Sequence, residues 1–380
     1  MPGLLPDVDP DGLLEYSVVY TDRAVNHMSK RFQGAVKDIT RILKQVYNAQ
    51  AAIIVPGSGT YGMEAVARQF ATGKHCLVIR NGWFSYRWSQ IFDMGGIPSK
   101  TTVLTASAGS NEPQSPFAPP PIEVAVAAIR EHKPDLVFAA HVETASGIIL
   151  PPDYLRALAE ATHAEGGMFV LDCIASGAIW VDMQECGVDV LITAPQKGWS
   201  GPACAGLVML GDLALERIQS TTSTSFACDL RKWLQIIEAY EKGGFAYHAT
   251  MPTDSLMVLR DVMLEAEERG FENLRAAQQQ LGDRVRAMLN EKGFHSVAAA
   301  GFEAPGVVVC YTDDDGIQSG TKFAQAGVQA AAGVPLQCGE PQSFKTFRIG
   351  LFGLDKWADI DACVHRLEEA VDRIRAGVEA

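Results

Sequence analysis

The chain has 380 residues, 47% of them hydrophobic and 20% charged, with a formal net charge of −13. That length exceeds one small core and implies two or three units of an ordinary folded protein. Its Lys and Arg are scattered, which excludes the clustered cations that a nucleic acid or an anionic membrane surface requires; a small anion held by a helix end and one or two basic side chains stays open. The eight cysteines, Cys76, Cys173, Cys186, Cys204, Cys228, Cys310, Cys338 and Cys363, show no C-x-x-C pair. Buried thiols in a reducing compartment are expected, rather than a disulfide scaffold or a metal site of paired Cys. The opening Met1-Pro2-Gly3-Leu4-Leu5-Pro6 is too short and broken for a signal peptide, and no run of 18 apolar residues is present. The cytoplasm is therefore the expected location.

In chain order, the first ten or so residues are expected to be irregular, and an amphipathic helix is predicted at about Arg31–Val46. Ala51–Val55 reads as a buried strand, followed by a helix over Tyr61–Ala71, a strand Cys76–Arg80 and a helix Ser85–Phe92. The segment Ala106–Pro121, rich in Ser, Ala and Pro, is expected to be a disordered tip. Asp135–His141 is a strand, Pro152–Glu165 a helix, and Met168–Asp172, Val188–Thr193 and Gly206–Leu210 are further strands. Short apolar runs separated by helices predict an α/β architecture, a largely parallel sheet with helices on both faces. The texture changes after about residue 252. Two long helices, Ser255–Arg269 and Leu274–Lys292, precede strands near Gly306–Tyr311 and Thr346–Gly350 and a terminal helix Trp357–Ala376. The expected organisation is an N-terminal segment 1–24, a large domain 25–252 and a smaller C-terminal α/β domain 253–380.

Sheets of this kind bind ligands beyond the carboxyl ends of their strands. Four segments fall there. Pro56-Gly57-Ser58-Gly59-Thr60 enters a helix, and its glycines, hydroxyls and helix N-terminus suit an anion, although such a turn is often only a turn. Asp172 ends an apolar strand, where a buried carboxylate needs a cation such as a protonated pyridine nitrogen; an N-cap is the plain alternative. Lys197, in Thr193-Ala194-Pro195-Gln196-Lys197-Gly198-Trp199, is poorly solvated, which favours a neutral, nucleophilic amine over a surface charge. His141-Val142-Glu143-Thr144-Ala145-Ser146-Gly147 brings small hydroxyl residues to the same edge.

These segments together resemble the class V aminotransferases, pyridoxal-phosphate (PLP) enzymes of fold type I, and within them the alanine–glyoxylate and serine–glyoxylate types. The likeness runs from about residue 25 to 376 through G-S-G-T, N-G-W-F, H-V-E-T-A-S-G, L-D-C-I-A-S, Q-K-G, Y-H-A-T-M-P and F-R-I-G-L-F-G. The resemblance implies a seven-stranded, mostly parallel sheet, with Lys197 holding PLP as a Schiff base and Asp172 pairing with its ring nitrogen. It further implies Gly57, Ser58, Gly59, Thr60 and Gln196 near the phosphate, Phe84 (or its neighbour Trp83) stacked on the ring, and Thr144 near the ring oxygen. Ile174, in L-D-C-I-A-S, joins the cofactor-binding set. Tyr247 and Thr250 would cross a homodimer interface to the neighbouring phosphate, and Arg348 would clamp a substrate carboxylate. No metal is expected. Two segments depart from the family: Leu5–Gly12 lacks the usual Gly-Pro-rich stretch, and Gly201-Pro202-Ala203-Cys204 stands where Pro-Pro-Gly is common.

The expected function is transamination of a small amino acid of the alanine or serine type with a 2-oxo acid such as glyoxylate or pyruvate. The rival is a PLP lyase, a cysteine desulfurase or β-eliminase, using Cys338 upstream of Arg348; desulfurases, however, usually have His where Gln196 precedes Lys197. A regulator built on the same fold would carry a DNA-binding domain or lack the Lys, and a nicotinamide-binding protein would show G-x-G-x-x-G after its first strand. A second substrate carboxylate would call on Arg23, Arg80 or Arg87.

Overall fold

A computed structural model describes residues 13–377. The departing Leu5–Gly12 stretch, and the irregularity expected of the first ten residues, lie outside the described residues. Seven strands form the main sheet: β1 (Ala51–Pro56), β2 (His75–Arg80), β3 (Lys100–Thr105), β4 (Leu136–Ala140), β5 (Met168–Asp172), β6 (Val190–Thr193) and β7 (Ala205–Leu210), in the spatial order β1-β7-β6-β5-β4-β2-β3. All pairings are parallel except the two made by β7. β1 and β6, both antiparallel to β7, therefore run in the same direction, and six strands deliver their carboxyl ends to one edge.

Every residue of β4, β5, β6 and β7 is buried, as expected for strands covered on both faces. β3, at the edge, is exposed to half-buried and reads Lys-Thr-Thr-Val-Leu-Thr, so it lacks the apolar run that marks its neighbours. Helix α1 (Lys30–Tyr47) begins where the Ser29 hydroxyl accepts from the Phe32 N–H, and ends at Asn48 in the left-handed region. Its buried stripe of Phe32, Val36, Ile39, Leu43 and Tyr47 packs towards β1. Helix α2 (Gly59–Val66) packs on β7, and α3 (Trp83–Gly95) on β2 and β4.

After the long helices α4 (Thr253–Arg269) and α5 (Phe271–Glu291) comes a second sheet of β8 (Val307–Tyr311), β9 (Ala331–Ala332) and β10 (Thr346–Gly350), antiparallel in the order β8-β10-β9. The expected terminal helix is split in two, Leu354–Ala358 and α6 (Ile360–Ala376), because the Asp359 carboxylate accepts from the Ala362 N–H and restarts it. A separate apolar cluster joins the two layers. In it Val142, Ala145, Ile148 and Ala175 from the large sheet's loops meet Val307, Val309 and Tyr311 of β8. The 106–121 tip departs from expectation. Ser107–Ala108 pairs with Phe117–Ala118, Phe117 is buried in that cluster, and the Tyr311 hydroxyl donates to Ser115 O at 2.7 Å. An apolar anchor orders a segment whose composition alone suggested disorder.

One close approach sets the site's geometry. A Cβ on Gly206 of β7 would lie 2.7 Å from Gly62 N and 2.8 Å from Ser58 O, so α2 rests backbone to backbone on the strand. Gly206→Val is expected to push the start of α2 off the sheet, at a stability cost of about 1–3 kcal/mol in a denaturant titration. Retention of wild-type stability would show that α2 does not depend on this contact.

Candidate active site

The turn from β1 into α2 is held by the Gly57 N–H, which donates to Cys204 O at 2.9 Å. Gly57 has φ +125°, open to glycine and strained for other residues. A Cβ on Gly59 would lie 2.6 Å from Ile174 Cδ1, so the turn and the loop after β5 are in contact only because the glycine is bare. Ser58, Gly59 and Thr60 line a cavity of about 160 Å³ together with Phe84, Thr144, Asp172, Ile174, Gln196 and Lys197. Four loops at the carboxyl edge thus meet in one place, as the sequence reading requires. Arg87, Met63, Val142 and Ala175 complete the wall.

Asp172 is buried, makes no ion pair among the described residues, and accepts one hydrogen bond, from the Ile174 N–H at 2.8 Å. Burial pushes its carboxyl up to about 7; the Ile174 N–H, Arg87 and Lys197 oppose that rise, and Glu143 adds to it. Lys197 moves the other way. Burial, then the Arg348 and Arg87 charges, lower its pKa against the pull of Asp172, so the neutral amine is favoured. Its Nζ lies 5.4 Å from the centroid of the Phe352 ring. A Cβ on the next residue, Gly198, would fall 2.2 Å from Gly177 O, which fixes the turn that carries the lysine.

Phe84 faces the cavity, whereas Trp83 packs on Tyr86. Arg348 lies on β10 between the buried Phe347 and Ile349, so its side chain leaves the buried face of the second sheet. Its Nε donates to Ala332 O at 2.8 Å, and its Cζ stands 5.5 Å from the Phe84 ring centroid. The second layer therefore reaches over the first. Tyr247 and Thr250 do not line this cavity; they are exposed, with their hydroxyls 3.0 Å apart. Of the reserve cations, Arg87 is in the wall, Arg23 is exposed, and Arg80 is turned towards Ser89 Oγ and Gln337 O.

The structure adds residues to which the sequence reading gave no role. Glu143 is fully buried. Its carboxylate accepts from the N–H groups of Phe84, Ser85 and Ala145 and from the Ser85 hydroxyl, at 2.7–3.2 Å. It fixes the start of α3, and so Phe84, to the loop that carries Thr144. An acid inside the otherwise small and apolar V-E-T-A-S-G run was the available signal. Cys338 lies elsewhere. It lines a larger cavity of about 650 Å³ between the 107–118 hairpin and the 338–345 loop. Its Sγ–H donates to Arg80 O at 3.4 Å, and burial pushes the thiol up to about 12, which disfavours a nucleophilic thiolate.

The residues present fit a phosphorylated pyridine aldehyde: a bare turn at a helix start, a buried acid without a counter-ion among the described residues, a lysine whose pKa is lowered, and an aromatic ring on the wall. Comparison with known proteins agrees. The family described as Aminotransferase class-V matches residues 12–344. The chain is 26% identical over 275 residues to the L-aspartate–glyoxylate aminotransferase of Paracoccus denitrificans, an overlap of 71% of this chain and 66% of the relative. It is 26% identical over 257 residues to the alanine–glyoxylate aminotransferase of Rattus norvegicus, an overlap of 66% and 59%. The matched part thus spans about two-thirds or less of these curated relatives. The fold is shared with an alanine–glyoxylate aminotransferase from Nostoc sp., at a TM-score of 0.77 and 20% identity, covering 92% of this chain and 89% of that one.

The burial of Asp172 has a measurable consequence in the cofactor-free protein. Its folded pKa, about 7, lies above the ordinary 3.8, so the folded state binds the extra proton. Stability is then lost as pH rises from about 4 to 7, by up to about 4 kcal/mol at 1.4 kcal/mol per unit. Asp172→Asn is expected to remove that slope, leaving the variant more stable than wild type at pH 8 and similar to it at pH 4. Parallel denaturation curves for the two proteins across this range would contradict the assignment.

Proposed function

Because the chain belongs to the class V aminotransferase family, we propose that it is a PLP-dependent aminotransferase exchanging the amino group of a small α-amino acid, of the alanine or serine type, with a 2-oxo acid such as glyoxylate or pyruvate. The observation that carries the reading is the convergence of Lys197 and Asp172 on one cavity, with the lysine pKa lowered and the acid buried without a counter-ion. When bound, PLP supplies a ring that accepts the electron pair released as the Cα–H bond breaks. Lys197, its pKa lowered, would anchor the cofactor's aldehyde, and its amine would serve as the base that takes the Cα proton and as the acid that returns it. Asp172 would keep the ring nitrogen protonated. Phe84 would cover the ring, Thr144 would serve its oxygen, and Gly57, Ser58, Gly59, Thr60 and Gln196 would hold the phosphate, with Ile174 packed against the turn. Arg348 presents its planar fork to the α-carboxylate, on the small-domain side of the cavity. The raised pKa and hydrogen-bonded thiol of Cys338, outside this cavity, support transamination over the lyase reading.

The working unit in this reading is a homodimer. The exposure of Tyr247 and Thr250, away from their own chain's cavity, supports their serving the neighbouring phosphate. The eight free cysteines fit a reducing compartment such as the cytoplasm.

Two measurements test these statements. Purified protein given PLP is expected to show the near-visible band of lysine-bound cofactor, fixed by borohydride, and to transaminate in a screen of amino donors against glyoxylate, pyruvate and 2-oxoglutarate. Lys197→Ala should lose both the band and at least a thousandfold of the rate; a borohydride-reducible adduct in that variant would place the cofactor on another lysine. Light scattering at assay concentration should give a two-chain mass, and a fully active single chain would exclude the shared site.

A further inference from the structure

We infer that Arg87 is the side chain that supplies positive charge to the phosphate of the bound cofactor, an assignment that rests on the PLP reading above. Arg87 follows Phe84 by three residues on α3, so both project from one face of the helix. Its Nη1 donates to Thr60 Oγ1 at 3.0 Å, and its Cζ stands 5.2 Å from the Phe84 ring centroid. The guanidinium therefore lies between the turn that starts α2 and the ring on the cavity wall. It is half-buried and makes no ion pair with any described carboxylate; the neutral Thr60 hydroxyl is its acceptor. A partly desolvated cation left in this state is costly unless an anion joins it.

The distribution of charge around the cavity identifies that anion. Ser58, Gly59 and Thr60 bring N–H groups and hydroxyls but no full charge. A phosphate monoester carries about −1.5 to −2 at neutral pH. Lys197 and Arg87 are the basic side chains in the cavity wall among the described residues. Lys197 is committed to the aldehyde, and Arg348 approaches from the other layer, beside Ala332. Arg87 is tied to the hydroxyl of the phosphate turn itself. It is thus placed for a bidentate contact with phosphate oxygens, by a small rotation that exchanges the Thr60 oxygen for theirs.

The test compares cofactor-stripped wild type and Arg87→Met in titrations with PLP and with pyridoxal, which lacks the phosphate, read by the near-visible band. The expected result is a PLP Kd raised at least tenfold in the variant and a pyridoxal Kd within twofold of wild type. Inorganic phosphate alone should raise the Tm of stripped wild type but not of the variant. Arg87→Lys, which keeps the charge without the fork, should fall between, and serves if the Met variant does not fold. Arg348→Lys is the comparator, expected to raise the amino-acid KM about tenfold with the PLP Kd unchanged. Equal weakening of PLP and pyridoxal would assign Arg87 to packing and overturn the inference. So would an unchanged PLP Kd with a raised KM for aspartate but not alanine, which would assign it to a distal substrate carboxylate. If wild type binds neither PLP nor pyridoxal, the cofactor reading itself fails, and this inference with it; wild-type binding with an unaffected variant removes the inference alone.

Discussion

A carboxyl group carried to the end of an entirely buried strand is the constraint around which this molecule is arranged. Asp172 has one hydrogen-bond donor and no counter-ion, and burial holds it near the point of losing its charge. The same cavity lowers the pKa of an amine, because Lys197 is also desolvated and faces two guanidinium groups. An acid that resists ionising and a base that resists protonation are thus kept within reach of each other's field, which water would have levelled. The sheet makes this possible: β5 and β6 are adjacent and parallel, so the acid at the end of one and the lysine in the loop after the other face the same space.

Holding that space open falls to groups that do not face it. Glu143 ties the first turn of α3 to the loop after β4 by three hydrogen bonds, with a fourth to Ala145 in its own loop, so Phe84 and Thr144 take their positions from one buried carboxylate. Gly206 lets α2 lie on β7, and Gly198 lets the lysine turn lie on Gly177. The apolar cluster between the layers adds Val307 and Val309 beneath the same loops, which brings Arg348 of the paired strand β10 over the cavity. The site is therefore a product of both layers, although most of its wall comes from one.

The parts legible in sequence were those in which an apolar strand gives way to a loop of small and polar residues. Val55, Ala140, Asp172 and Thr193 close apolar runs, and the loops after them carry the glycines, hydroxyls and lysine that line the cavity. β3 was not legible, because an edge strand with one Val-Leu pair among Lys and Thr has no long apolar run. The 106–121 tip was misread, because its order comes from Phe117 binding residues some 180 positions later, a contact that local composition does not record. Arg87 could be named as a spare cation but not placed, since its role depends on which side of α3 meets Thr60. Glu143 was in view without its purpose, because a carboxylate that caps a helix sixty residues earlier in the chain leaves no local signature.

The order of the strands also bears on how the chain is made. β1 lies at the sheet's edge, and its ladder places Ala51 opposite Leu210 and Pro56 opposite Ala205. A ribosome emits β1 first among the seven strands of this sheet, yet its hydrogen-bonding partner emerges last of the seven. The intervening strands β2 to β6 can assemble by adding neighbours as they appear, while Ala-Ala-Ile-Ile-Val waits as an unpaired apolar segment. Closure of the β1–β7 ladder, which also draws the Gly57 N–H onto Cys204, is thus a long-range event that comes after the rest of the sheet. The turn that starts α2 acquires its final shape only then, so a nascent chain that has passed Lys197 but not Ala205 has its lysine and its acid but no finished cradle beside them.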